Sequence, residues 1–144
     1  MLRVNFPLNT KNKLTLCHNE IFIDSNIFLN LLLDEKKADK AQSILELVEY
    51  NLVQGFITPL VLEEVCFKLI YAKASEVLNT KNIRTIKDSL NRDPVIRREC
   101  MHTLYRFYEY IEFLLSRGLR IEPITYSDWK NSLEFIERYG TTTC

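Results

Sequence analysis

The sequence has few of the residues that break helices and form tight turns. Its 144 residues include only three glycines and four prolines. This scarcity disfavours a β-sandwich, which needs frequent turns between short strands, and favours long helices. The chain also has no excess of charge, because 19 Lys and Arg residues balance 19 Asp and Glu residues. Neutrality argues against tight non-specific binding to nucleic acid, although it leaves room for a local basic patch.

Cysteine pairs and long apolar segments are also missing. The four cysteines, Cys17, Cys66, Cys100 and Cys144, form no Cys-x-x-Cys pair, which excludes the common zinc and redox motifs. Cys66 and Cys100 fall within helical patterns and are expected to be buried or half-buried. The longest apolar run, residues 27–33, is too short to cross a bilayer, and the N-terminus lacks a signal-peptide pattern. We therefore expect a cytoplasmic protein with no membrane segment.

Hydrophobic periodicity predicts an α/β fold with a short parallel sheet flanked by helices. Short apolar runs predict strands at 20–24, 55–58 and 119–124, and three- and four-residue spacings predict helices at 26–33, 35–51, 59–78, 81–91, 94–116 and 127–140. Helical connections between the strands imply that the strands are parallel. The first run is continuously apolar, which predicts a central strand buried on both faces. We expect a flexible arm or edge strand over 1–19 and one folded domain over 20–144.

Three sets of side chains carry further expectations. Ile83, Ile86 and Leu90 mark the fourth helix by their spacing, and on the last helix Trp129, Leu133 and Ile136 are expected to point inward. The long helix carries aromatic and basic residues that are open to two interpretations: Tyr105, Tyr108, Tyr110, Arg98 and Arg106. They would either stack on RNA or pack helix against helix, and we prefer packing.

Acidic residues follow two of the predicted strands. Asp24 follows the first strand, and Glu63 and Glu64 lie in the first turns of the helix after the second. Ligands of parallel α/β sheets gather beyond the carboxyl ends of the strands, so these acids can meet there. Carboxylate oxygens suit Mg²⁺ or Mn²⁺, and such a metal can activate water against a phosphodiester. The competing interpretation is that Asp24 only caps a helix and that the glutamates only favour its dipole.

Two motifs resemble those of the PIN-domain family. Ile21-Phe22-Ile23-Asp24-Ser25-Asn26 resembles the opening motif of that family, and Thr58-Pro59-Leu60-Val61-Leu62-Glu63-Glu64-Val65 resembles its second. The resemblance covers roughly residues 20–140 and implies a PIN-like three-layer fold. It further implies a VapC-like toxin, a metal-dependent endoribonuclease that cuts RNA, pairs with a small antitoxin protein and forms a homo-oligomer.

The resemblance also implies roles for individual residues. Asp24 and Glu64 would be the catalytic metal ligands, with Mg²⁺ or Mn²⁺ as the cofactor. Ser25 and Asn26 would orient the site, and Thr58 would help to hold the second acid. The family pattern favours Glu64 over Glu63, but helix geometry leaves Glu63 open, since both lie off the apolar face.

One departure from the family pattern concerns the C-terminal end. PIN domains normally carry a third acid, and often a fourth, beyond the position of Gly140, where this sequence has Thr141-Thr142-Thr143-Cys144. We therefore expect missing C-terminal strands, an exposed edge at strand one that favours oligomers, and impaired nuclease activity. Asp128 is a candidate substitute acid, although Ser127-Asp128 is also typical of a helix start.

Two other functions stay open on the sequence alone. One is a non-catalytic PIN-like remnant that acts as a binding or oligomerisation module. The other is an unrelated helical α/β interaction domain. Convergence of Asp24 with the Glu63 and Glu64 segment would favour a PIN-like protein over the unrelated domain.

Overall fold

A computed structural model describes residues 19–139 of the protein. Their strands and helices, in chain order, are β1 (Glu20–Phe22), α1 (Ser25–Leu33), α2 (Glu35–Glu49), β2 (Gln54–Ile57), α3 (Pro59–Leu78), α4 (Ile83–Arg92), α5 (Pro94–Leu115), β3 (Leu119–Ile121) and α6 (Tyr126–Tyr139). The predicted order is confirmed, and the strands are shorter than predicted. The expectations for residues 1–18, Cys17 among them, and for Gly140 to Cys144 lie outside the described range.

The three strands form one parallel sheet in the order β1-β2-β3, which confirms the predicted α/β class with a short sheet flanked by helices. In the register of the strands, Gly55 lies between Ile21 and Leu119. The prediction that strand one is central and buried on both faces is wrong for the described sheet. β1 is an edge strand, and while Ile21 is buried, the adjacent Phe22 is 43% exposed. Successive side chains of a strand face opposite sides, and the helices cover the side of Ile21.

The main core joins the covered side of the sheet to α1, α2, α3 and α5. Phe28, the largest of its fully buried side chains, meets Phe107 edge-to-face, with ring centroids 5.7 Å apart. On the long helix α5, Phe107, Ile111 and Leu114 are all buried in this core. This core fixes the positions of the N-termini of α1 and α3 relative to the sheet.

A second, smaller core joins the end of α3 to α4 and the start of α5. Its buried residues are Ala74, Ile86, Ile96 and Cys100. The predictions for the two helical cysteines are confirmed, because Cys100 is buried and Cys66 is half-buried. Ile86 is buried on α4, whereas the side chain of Ile83 is 53% exposed. Ile83 is the first residue of a ten-residue helix that packs through its middle, so its first turn stays open to solvent.

The tyrosines of α5 divide between the two interpretations. Tyr110 is half-buried and donates a hydrogen bond of 2.7 Å from its hydroxyl to Glu49 Oε1, which ties α5 to the end of α2. Tyr105 and Tyr108 are 60% and 59% exposed. The preferred packing interpretation therefore holds for Tyr110 and is wrong for the other two, because they lie on the solvent side of the helix.

The last helix, α6, departs most from expectation. Trp129, Leu133 and Ile136, which were predicted to point inward, are 54%, 45% and 45% exposed. Apolar spacing indicates that a helix has a face suited to burial, but it does not identify the surface that covers that face. No helix within residues 19–139 is long and apolar enough to cross a membrane.

Candidate metal centre

The helices that follow β1 and β2 begin differently from three others. Asp34, Asn82 and Asp93 cap α2, α4 and α5 in the usual way, since their side chains accept backbone N–H groups of the first turn. Asp24 and Thr58 occupy the same position before α1 and α3, yet neither side chain makes a capping hydrogen bond. The interpretation of Asp24 as a side-chain cap is therefore wrong. The Asp24 carboxylate makes no hydrogen bond to the backbone of the first turn of α1.

Asp24 is held on both sides by buried neighbours. Ile23 is fully buried and donates its backbone N–H to the carbonyl of Phe56, which extends the pairing of β1 with β2. Ser25 is 1% exposed, and it is the one polar side chain among the buried residues of the described core. The exposed carboxylate of Asp24 accepts a hydrogen bond of 3.1 Å from Asn26 Nδ2. The structure thus brings Asn26 to the carboxylate that it was predicted to orient.

Glu64 is the acid on α3 that reaches the Asp24 segment. The side chains of Lys68 and Ser25 both lie near its carboxylate, and both lower the pKa of Glu64, Lys68 the more strongly. The Lys68 ammonium lies 2.8 Å from Glu64 Oε1. Glu63 is exposed on the same helix. The contact with Ser25 therefore separates two glutamates that the sequence left as alternatives, and it joins Glu64 to the residue next to Asp24.

The donor chemistry of this cluster suits a hard divalent cation. Mg²⁺ commonly takes one or two protein carboxylates and completes its shell with water and substrate phosphate. Asp24 and Glu64 supply two such groups at the carboxyl edge of the sheet. Within residues 19–139, however, no group of three or more His, Cys, Asp and Glu side chains could hold a metal. The two acids fit a metal that is held weakly by protein and is completed by other oxygens.

Asp128 belongs to a helix end and not to this cluster. Its carboxylate accepts hydrogen bonds of 2.8 Å from both the backbone N–H and the hydroxyl of Thr125, and these bonds lower its pKa. In return, the Thr125 hydroxyl accepts the backbone N–H of Asp128 at 3.2 Å. This reciprocal pattern is a capping box, so the expectation of an ordinary helix start is confirmed.

Sequence reasoning missed Lys68. It lies four residues after Glu64, and a glutamate followed by lysine at this spacing forms an ion pair on a helix surface. The spacing could have identified the pair, but only the fold shows that it borders the Asp24 segment. Both side chains are nearly half exposed, at 45% for Lys68 and 47% for Glu64, so the pair is open to competition from a metal.

Comparison with known families agrees with this geometry. The model of the PIN domain matches residues 21–143, which is most of the chain. The chain belongs to the PIN-domain family. A PIN domain is a nuclease-type fold, and PIN domains generally use divalent metal ions. The match removes the alternative of an unrelated interaction domain. No curated protein and no solved structure gives a significant match to this PIN domain.

Proposed function

We propose that this PIN domain is a divalent-metal-dependent endoribonuclease in which Asp24 and Glu64 hold Mg²⁺ or Mn²⁺. The observation that carries the proposal is the contact of Glu64 with Ser25, the residue next to Asp24, at the carboxyl edge of the sheet. Two further observations support it. Asp24 and Thr58 stand at the starts of the helices that follow β1 and β2, and neither side chain makes a capping hydrogen bond. The Asp24 carboxylate accepts a hydrogen bond from Asn26 instead.

Each residue of the cluster has a stated task in this proposal. Asn26 holds the Asp24 carboxylate in one orientation through its amide N–H. Ser25, buried in the core, holds Glu64 from the other side. Lys68 neutralises Glu64 in the free protein, and it can turn to a substrate phosphate when a metal takes over that carboxylate. The metal, when bound, would supply an activated water and stabilise charge on the phosphate.

The proposal is tested by two measurements on the same four proteins. Mn²⁺ binding is followed by calorimetry, and cleavage of single-stranded RNA is followed on gels with and without chelator. We expect Asp24→Asn and Glu64→Gln each to weaken Mn²⁺ binding more than about tenfold and to abolish cleavage. Glu63→Gln is the matched control, because it makes the same change one residue away, and it should retain both properties. Cleavage that survives Asp24→Asn refutes the assigned site.

A non-catalytic PIN domain is the second candidate, and one observation favours it. The two carboxylates have no third acid beside them among residues 19–139, and one of them is already paired with Lys68. In that case the wild-type protein binds no Mn²⁺ at millimolar concentration and cleaves no RNA. The fold then serves as a binding or oligomerisation module.

The toxin role is a finer proposal that rests on the motif resemblance. A toxin-type ribonuclease would arrest growth when it is expressed without a protein antitoxin. Induced expression in bacteria should therefore stop growth for the wild type and not for Asp24→Asn at equal protein level. Growth that is unaffected by an RNA-cleaving wild type separates the nuclease proposal from the toxin proposal.

A further inference from the structure

A strongly basic part of the chain surrounds the second core. Residues 81–98, which form α4 and the start of α5, contain six Lys and Arg residues and two acids. Their net charge is +4, so the other 126 residues together carry −4. A chain that is neutral as a whole thus concentrates positive charge in one helical segment, which we call the basic region. Such a concentration is typical of a surface that meets phosphate groups.

Helix α4 presents this charge to solvent. Ile86 is 2% exposed and packs in the second core, whereas Arg84, Lys87 and Arg92 are exposed. At about 100° per residue, the three cations lie on the side of the helix opposite to Ile86. Asp88 is the one acid of the helix and lies on the same side. The exposed face of α4 therefore keeps an excess of positive charge.

The fold does not neutralise these cations. Within residues 19–139, the three basic side chains of α4 form no ion pair, although Asp88 lies four residues after Arg84. The other acid of the basic region, Asp93, accepts a backbone N–H in the first turn of α5 as its cap. The positive charge of α4 is therefore available to a ligand outside the chain.

The start of α5 adds cations to the same unit. Arg97 donates a hydrogen bond of 3.4 Å from Nη1 to the carbonyl of Asn91, near the end of α4. Ile86 of α4 and Ile96 of α5 share the second core. The packing thus holds the cations of two helices in fixed relative positions. A preformed array of this kind loses less conformational freedom on binding than cations on a flexible segment.

An exposed aromatic residue follows the basic region on α5. Arg98 and Tyr105 are seven residues apart, which is two turns or about 10 Å, so they share one side of the helix. Both are exposed, Tyr105 to 60%. Proteins bind single-stranded RNA through cations that follow its phosphates and aromatic rings on which its bases stack. A double helix keeps its bases stacked on each other and gives Tyr105 no partner.

We propose that the basic region, with Tyr105 beside it, binds single-stranded RNA at a distance from the metal centre. The inference rests on the proposed function, from which it takes RNA as the substrate. Helix α3 connects the two places, because Glu64 lies in its second turn and Ala74 lies in the second core. Ten residues of helix span about 15 Å. At about 3.4 Å per phosphate, an RNA must extend over more than about four nucleotides to contact both.

The experiment measures RNA binding in EDTA, which removes the metal and prevents cleavage. Fluorescence anisotropy follows a labelled single-stranded RNA of about 20 nucleotides, well above the length that spans both places. We expect binding that weakens as salt is raised, because each contacted phosphate contributes about −0.7 to the slope of log K against log salt. Arg84→Gln combined with Lys87→Gln should reduce that slope by about 1.4, which is roughly 25-fold weaker binding at about 0.1 M salt.

The matched control is Lys37→Gln combined with Lys40→Gln. It removes two exposed cations at the same spacing from α2, and it should bind RNA like the wild type. All four substituted side chains are exposed, so circular dichroism and the urea midpoint should match the wild type. Arg92→Gln with Lys87→Gln replaces the α4 pair if that variant does not fold.

Two further comparisons separate the parts of the proposal. Tyr105→Leu should weaken binding of the RNA roughly fivefold or more without changing the salt slope, whereas Tyr50→Leu, at another exposed tyrosine, should not. Asp24→Asn should abolish cleavage and keep the wild-type affinity for RNA in EDTA. Failure of the basic region and failure of the proposed metal centre are therefore distinguishable.

Three results would overturn the proposal. An unchanged affinity and salt slope in the α4 double variant would mean that RNA binds elsewhere. Equal weakening in the α2 control would mean that only the overall charge of the protein matters. A wild-type protein that cleaves RNA but shows no binding in EDTA at low salt would leave the basic region without a role in binding. By contrast, a protein that binds RNA through α4 and cleaves none refutes the proposed function and supports the basic region.

Discussion

Replacing Gly55 by alanine should destabilise the sheet, because the structure leaves no space for a methyl group there. Gly55 is buried in the middle strand, between Ile21 and Leu119. A Cβ atom at this position would lie 2.8 Å from Ile23 Cδ1 and 2.9 Å from Val48 Cγ2. Both neighbours are fully buried, so neither can move without displacing the core around it.

Two effects of opposite sign determine how much Gly55→Ala changes the free energy of unfolding. Overpacking of a well-filled core costs about 1–3 kcal/mol, whereas alanine restricts the unfolded chain more than glycine and returns about 0.4–1 kcal/mol. We expect a net loss of about 1.3 kcal/mol in the free energy of unfolding, within limits of about 0–2.6 kcal/mol, measured by equilibrium urea denaturation at constant m-value. That loss is a large part of the roughly 5–15 kcal/mol that stabilises a typical domain.

A double-mutant cycle makes the reasoning specific to the contact with Ile23. Ile23→Val removes the Cδ1 atom that meets the new methyl group, at its own cost of about 0.5–1.5 kcal/mol. Gly55→Ala should therefore cost less in the Ile23→Val protein than in the wild type. Strict additivity of the two changes, or a Gly55→Ala protein as stable as the wild type, would show that the close contact is not the cause.

Three further predictions follow from the side-chain contacts. Tyr110→Phe removes the hydrogen bond to Glu49 and should lower the free energy of unfolding by about 1–2 kcal/mol, whereas the exposed control Tyr108→Phe should change it little. Burial and the hydrogen bond to Glu49 raise the pKa of Tyr110 in the folded protein. The stability that the neutral Tyr110 hydroxyl contributes is therefore complete below the unfolded pKa of about 10, and it is lost progressively as the pH rises from there through the folded pKa. The stability difference between wild type and Tyr110→Phe should therefore narrow as urea denaturation is repeated above pH 10. Lys68→Met removes a cation from Glu64 and should tighten Mn²⁺ binding roughly two- to fivefold by calorimetry.

Each of these predictions has a result that contradicts it. A Tyr110→Phe protein as stable as the wild type would mean that water replaces the hydrogen bond without loss. If the stability difference between wild type and Tyr110→Phe stayed constant above pH 10, the Tyr110 phenol would have the same pKa in the folded and unfolded chain. Mn²⁺ binding that is unchanged or weaker in Lys68→Met would place Lys68 outside the competition for Glu64.

The sequence by itself determined the order of the elements and the family. Helix starts such as Asp34 and Asp93 are local signals, because the capping side chain bonds to the backbone two residues later. Apolar runs likewise identify strands, and helical connections between them imply the parallel sheet. The match to the PIN domain extends from the same motif around Asp24 that the sequence singled out.

Tertiary structure alone decided which residues meet. The sequence left Glu63 and Glu64 as alternatives, since both point away from the apolar face of α3. Only the packing of α3 against α1 brings Glu64 to the buried hydroxyl of Ser25. Contacts of this kind depend on the relative position of two elements about 40 residues apart, which no local pattern encodes.

The same limit explains the incorrect predictions for burial. The continuous apolar run at β1 and the helical spacing on α6 indicate that Phe22 and Trp129 belong to apolar faces. Whether such a face is buried depends on what the fold places against it. In the described part of the chain the helices cover the Ile21 side of the sheet and leave the faces of Phe22 and Trp129 exposed. Burial requires two surfaces in contact, and the sequence of one element specifies only its own surface.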